Sequence, residues 1–196
     1  MSKFRIAIFA SGSGTNAEEI FKYFQHHTSV EIALLLSNNP QAYALERAQK
    51  YNTPTVTFTK HEFRETQIVL DQLLKHRITH IVLAGFMWLV PEYLIKKFSG
   101  RIINIHPALL PKFGGQGMYG MKVHEAVKLK GEKETGITIH DVNERYDEGK
   151  ILLQVKCEIN TQDTPEQIAN KVHQLEYKHF PAAIEKWILG KNTRRE

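Results

Sequence analysis

The sequence predicts a doubly wound α/β fold with a mostly parallel sheet and helices on both faces. Three observations carry this. Short runs rich in Ile, Val and Leu alternate along the chain with segments of helical period, the pattern of parallel strands joined by crossover helices. A glycine-rich turn follows the first apolar run, where open α/β sheets place their ligand crevice. The run from His80 to Ala84 is apolar almost throughout, as a central strand covered on both sides must be.

The elements follow in order. Phe4 to Phe9 reads as the first strand and Ala17 to His26 as the first helix. Glu31 to Leu36 is a second strand, Ala42 to Tyr51 a second helix, and Thr55 to Phe58 a short third strand. Glu62 to His76 has one apolar face made by Phe63, Gln67, Leu70 and Leu74, predicting a single third helix. After the fourth strand, Pro91 to Phe98 is helical and Arg101 to Ile105 is a fifth strand. The loop from Lys112 to Lys122 carries four glycines and leads to a helix over Val123 to Leu129. Ile137 to Asp141 and Ile151 to Ile159 flank an acidic loop and predict an antiparallel extension of the sheet near the C-terminus. Thr164-Pro165-Glu166-Gln167 is a capping box that opens the last helix. Pro181 lies inside that helix and is expected to kink or divide it.

At 196 residues, 42% of them hydrophobic, the chain can bury about 70% of its unfolded surface without a disulfide or a metal. One domain over residues 1–189, with a short tail over 190–196, is the economical reading. A single cysteine, Cys157, excludes an internal disulfide and points to a reducing, cytoplasmic compartment. Its alternation with Val155 and Ile159 marks it as a buried packing thiol. No signal segment precedes the first strand, and the longest apolar run, Ile81 to Val90, is far short of the ~18 residues of a membrane span. The net charge of +5 suits a phosphate-bearing small molecule. Its basic residues are scattered in short clusters such as Lys96-Lys97 and Arg194-Arg195, so no nucleic-acid or membrane partner is expected. Ten histidines are present, but none is paired at a metal-ligand spacing with a third partner; no metal is expected.

Ser11-Gly12-Ser13-Gly14-Thr15-Asn16 links strand to helix, where free helical N–H groups attract an anion. The loose dinucleotide pattern Gly12-x-Gly14-x-x-Ala17 would need an acidic residue at the end of the second strand; Ser37-Asn38-Asn39 stands there instead. Asn104 and His106 alternate with Ile103 and Ile105, so both polar side chains project to one side of the strand. Pro107 keeps His106 extended at the strand's carboxyl end. Such a pair can stabilise an oxyanion, and a carboxylate from the loop 141–149 would orient the imidazole and raise its pKa. Spacing does not choose among Asp141, Glu144, Asp147 and Glu148. His140, on the Thr138 side of its strand, fits a supporting role and a structural one equally well.

The motifs Ser11-Gly-Ser-Gly-Thr-Asn16, Leu83-Ala-Gly-Phe-Met87, Asn104-Ile-His-Pro-Ala-Leu-Leu-Pro111 and the Asp147 loop, in this order and spacing, resemble the glycinamide ribonucleotide formyltransferase family. The resemblance covers residues 4 to 188. It implies a formyltransferase-type Rossmann-like fold and transfer of a formyl group from 10-formyltetrahydrofolate, the co-substrate, to the glycinamide amine in purine biosynthesis, by a monomer or homodimer acting on small molecules. Asn104 and His106 match the family's catalytic pair, and Asp147 the carboxylate that supports the histidine. Gly14, Thr15 and Asn16 match its phosphate loop, with Glu176 at the ribose and His173 one turn earlier. Folate contacts would come from Arg64, from the backbone of Met87, Trp88, Leu89 and Val90, and from the loop 141–147 including Asp141 and Asp147. Trp88 stands where relatives often carry Arg, and the loop from Lys112 to Lys122 is longer than in relatives. Its glycines, with Phe113, Met118 and Tyr119, predict a mobile cover over the reacting centre. Hydrolysis of the formyl folate, and a nucleotide-binding module without chemistry, are the competing readings.

Overall fold

The computed structural model describes residues 3–190. Its seven strands are β1 (Phe4–Phe9), β2 (Val30–Ser37), β3 (Thr55–Thr57), β4 (His80–Leu83), β5 (Ile102–His106), β6 (Glu134–Asp141) and β7 (Ile151–Glu158), forming one sheet in the order β3-β2-β1-β4-β5-β6-β7. Pairing is parallel from β3 through β5. β6 runs antiparallel to both β5 and β7. The mostly parallel sheet with an antiparallel extension is therefore the observed architecture.

Side-chain alternation along the strands builds two cores. Ile6, Ile8, Val82, Ile103 and Ile105 face α1 (Thr15–Phe24), α2 (Tyr43–Lys50) and α7 (Pro165–Gly190). Ala7, Phe9, Leu34, Leu36, Ile81 and Ile102 face α3 (Lys60–Glu65), α4 (Ile68–Lys75) and α5 (Glu92–Lys97). The remaining helix, α6 (Met121–Leu129), packs Val127 against Ile159 and Ile168. From β1 the chain winds outward to β2 and β3, then returns to place β4 on the other side of β1. That reversal opens a crevice at the carboxyl ends of β1 and β4.

Several expectations are corrected. The segment 62–76 is two helices rather than one. Thr66 is extended; its hydroxyl donates to the Glu62 carbonyl and accepts from the Ile68 N–H, ending α3 and starting α4. The buried face is Phe63, Val69 and Leu73, whereas Gln67 is exposed and Leu74 is 46% exposed. A second capping box, Thr59 with Glu62, opens α3. α7 is not divided: it runs through Pro181 to Gly190, so Gly190 belongs to the helix and not to a tail. Burial of Phe180, Ile184, Trp187 and Ile188 on either side of Pro181 offsets the lost hydrogen bond, a cost of about 3 kcal/mol. Residues 191–196, where the rest of the tail was expected, lie outside the described residues. Cys157 is half-buried rather than buried, because β7 is the sheet edge; burial still raises its thiol pKa, which disfavours the thiolate. No helix among the described residues is long and apolar enough to cross a membrane.

Candidate active site

The crevice is a cleft of about 600 Å³ bounded by the turns after β1, β4 and β5, the glycine loop, the β6–β7 loop and one face of α7. At one end, Gly14 has a φ of 70° and directly precedes α1, whose first residues are Thr15 and Asn16. The helix therefore starts two residues earlier than the sequence pattern implied. Gly14 has no side chain to cap it, so no side-chain cap occupies the N–H groups of the first turn, which such a helix start offers to an anion. A Cβ on Gly14 would lie 2.6 Å from the Cα of Ala44 on α2. The turn thus needs glycine twice, for its left-handed backbone and for the approach of α2. Arg47 of α2 braces the turn through the Ser13 carbonyl, at 2.9 Å, and through Glu18.

Asn16 crosses to α7, where its Nδ2 donates to Glu176 Oε2 at 2.9 Å. Its Oδ1 is buried without a protein partner. Glu176 is itself only 5% exposed, and burial pushes its carboxyl up to about 7, with the Asn16 hydrogen bond opposing. His173 lies one turn earlier, stacked on Tyr177. Gly14, Thr15, Asn16, His173 and Glu176 therefore line one end of the cleft together.

The centre is built on the ends of β5 and β6. Asn104 and His140 pair across these strands, and Asn104 Nδ2 is 3.2 Å from His140 Nε2. His140 Nδ1 donates to the Asp141 carbonyl at 2.8 Å, which leaves Nε2 to accept the Asn104 amide N–H and fixes that amide. His106, 3% exposed, donates from Nε2 to the Phe113 carbonyl at 2.7 Å; its Nδ1 faces Asp147 Oδ2 at 3.5 Å. Asp147 also accepts from the Gly115 N–H at 2.9 Å, and its other oxygen lies 3.5 Å from His140. Burial pushes Asp147 up, yet the His140 and His106 rings in their protonated forms and the Gly115 N–H together bring it below the usual carboxylate range. The loop carrying it is drawn against β6 at Gly149, where a Cβ would lie 1.6 Å from the Asp141 carbonyl oxygen.

Asp147 pushes the His106 pKa upward, as a carboxylate partner should, but the net shift is downward. Burial lowers the His106 pKa, Asp147 and the Phe113 carbonyl raise it only in part, and His140 lowers it further. The physical reason is distance: at 3.5 Å Asp147 compensates incompletely for a ring removed from water.

At the far end, Met87, Trp88, Leu89 and Val90 line the cleft with Asp147. The Met87 N–H is already committed to Ser11 Oγ at 3.1 Å. Trp88 packs 6.1 Å from Phe58 and 6.0 Å from Phe63, giving this end an aromatic wall. Two expected residues do not line the cleft. Arg64 sits exposed in the last turn of α3 because Phe63 takes the inward position. Asp141 is at the end of β6, where its carbonyl is used by His140 and its Oδ1 is buried without a partner. The sequence reading missed His124, a buried histidine on α6 that lines the cleft beside His173. A polar residue in the first turn of the predicted helix, next to apolar Val123, was the available signal. Among the described residues no group of three or more His, Cys, Asp or Glu is placed to hold a metal ion.

The chain is similar to known proteins. A family described as formyl transferase matches residues 4–184. The chain is 38% identical over 201 residues to a phosphoribosylglycinamide formyltransferase of Bacillus subtilis, covering 100% of this chain and 99% of that protein. It is 34% identical to the Haemophilus influenzae protein of the same name, covering 97% and 89%. Among solved structures, a phosphoribosylglycinamide formyltransferase from Bacillus halodurans superposes with a TM-score of 0.83 at 37% identity, covering 93% of this chain and 94% of that one.

Proposed function

The chain belongs to the formyl transferase family, and we propose that it moves the formyl group of 10-formyltetrahydrofolate to the primary amine of glycinamide ribonucleotide, a step of purine biosynthesis. The observation that carries this is the meeting of Asn104, His106, His140 and Asp147 midway along a cleft with an anion-attracting helix start at one end and an aromatic wall at the other. The nucleotide lies with its phosphate at Gly14–Asn16 and its sugar near Glu176. Folate lies along residues 87–90 and the loop around Asp147.

The amine nitrogen attacks the formyl carbon; a C–N bond forms and the carbonyl pair moves onto oxygen. The second Asn104 amide hydrogen and the His106 N–H stabilise that oxygen, and both contacts strengthen as charge develops. For His106 Nε2 to turn its proton to the substrate, the Phe113 carbonyl gives way to the oxyanion. Asp147 faces Nδ1, holds the ring, and favours the form in which a proton taken from solvent on Nδ1 makes it imidazolium. Collapse breaks the bond between the formyl carbon and folate N10, which takes a proton as the new amide nitrogen loses one. No step requires a metal, a nucleic acid or a membrane, and the reading is of a cytoplasmic enzyme, monomeric or homodimeric.

The test is spectroscopic. Enzyme, glycinamide ribonucleotide and a 10-formyl folate should yield deformylated folate at a rate that vanishes without the nucleotide. Equal turnover in its absence would make the protein a hydrolase, and no turnover under either condition would leave a binding module.

A further inference from the structure

We infer that His124 is a contact residue for the nucleotide, presenting its Nε2–H to an oxygen of the sugar or glycinamide part of that substrate; the inference rests on the reading of the Gly14–Glu176 end as the nucleotide end. His124 lies in the first turn of α6, directly after the glycine loop. It is 2% exposed, yet it lines the cleft together with Asn16, His173 and Glu176. Flanking Val123 and nearby Val127 are buried, which ties this turn of α6 to the core. The His173 ring stands edge-on to it with centroids 6.3 Å apart and is itself backed by Tyr177.

The tautomer follows from satisfiability. Nδ1 is sealed from solvent and has no hydrogen-bond partner. A proton there would strand a buried donor, whereas a proton on Nε2 leaves only a lone pair unused. The nitrogen left to meet a ligand is thus Nε2, as a donor. Burial, with His173 and His106 nearby, holds the ring pKa down to about 4, so at neutral pH the group is an uncharged donor suited to a hydroxyl or carbonyl oxygen. A structural role would give the ring a protein partner, and a buried polar atom without one costs stability.

The experiment measures dissociation constants by calorimetry for glycinamide ribonucleotide and, separately, for a non-reactive 10-formyl folate analogue, with melting temperatures alongside. His124→Leu should weaken the nucleotide about tenfold or more, change folate binding less than about threefold, and leave the melting temperature unchanged or raised. His124→Gln, whose amide N–H reaches where Nε2 stood, should bind the nucleotide within about threefold of the parent. If the unaltered protein does not bind the nucleotide, the reading of the cleft fails and the inference with it. If it binds and His124→Leu binds equally well, the inference alone is overturned. Gln as weak as Leu overturns the donor assignment; a lowered melting temperature with equal loss for both ligands makes His124 structural and also overturns it.

Discussion

In the proposed mechanism three side chains set the chemistry, and each can be perturbed separately. Asn104→Ala or His106→Ala should lower kcat by about 10²-fold or more with little change in either KM, because their contacts mature only as charge reaches the oxygen; steady-state kinetics on folded variants decides this, and near-normal turnover would remove the mechanism. Asp147 favours the charged form of His106 against the pull of burial. Asp147→Asn should therefore lower the His106 pKa further, read by NMR titration of the ring; an unchanged value would mean that another carboxylate is the partner. Glu176 carries a consequence for stability. Its folded pKa, about 7, lies above its ordinary 4.5, so the native state holds a proton that the unfolded chain releases. Stability from this source is fully present below about pH 4.5 and is lost as pH rises to about 7, to the extent of roughly 3 kcal/mol. Glu176→Gln should flatten the decline, melting higher than the parent at pH 8 and alike near pH 4.5; parallel curves would show that the carboxyl is not so buried.

At the scale of elements, the turn before α1 and the glycine loop behave differently under substitution. Gly14 holds a left-handed φ and has Ala44 at its back, so Gly14→Ala acts through the fold, at a cost of about 1 kcal/mol or more. Gly12 has nothing within 4 Å of a built Cβ and needs no special φ. Gly12→Ala should accordingly leave the melting temperature unchanged while raising the nucleotide KM by crowding the anion's approach. A rise in the folate KM alone would mean that the ends of the cleft are reversed. The glycine loop spans Lys112–Gly120, since Met121 and Lys122 are already helical. Its first part is docked, with Phe113 against Val127 and the Gly115 N–H on Asp147, whereas Tyr119 is 41% exposed. Hydrogen exchange should slow in residues 116–120 when both substrates bind; unchanged protection would make the loop a fixed wall. Strands and long helices were legible because their apolar spacing is local. The break at Thr66 was not, since one hydroxyl satisfying two backbone groups decides it. The pairing of His140 with Asn104 depends on the register of β6 against β5, and no local pattern encodes a register.

For the whole molecule, the sheet order is what turns separate motifs into one site. Residues near positions 14, 88, 104, 147 and 176 come together because β1, β4 and β5 are adjacent and point their carboxyl ends the same way, while β6 returns beside β5 and α7 folds across the β1 face. The chemical types of these residues were readable in sequence, but the sign of the His106 shift was not, because it depends on how completely the surrounding elements exclude water. Both cores share the same central strands, so neither half of the cleft has a core of its own and the molecule should unfold as one unit. A ligand bound at either end then stabilises the whole. At about 100 times its dissociation constant, the nucleotide alone should add roughly 2.7 kcal/mol, raising a single melting transition by about 5–10 °C for a domain of this size. A folate analogue bound with the nucleotide should raise the same transition further, and a chelator should leave it unmoved, as no metal-holding group exists among the described residues. Differential scanning calorimetry with each addition checks all three. Two transitions, only one of them shifted by the nucleotide, would contradict a site that spans a single cooperative sheet.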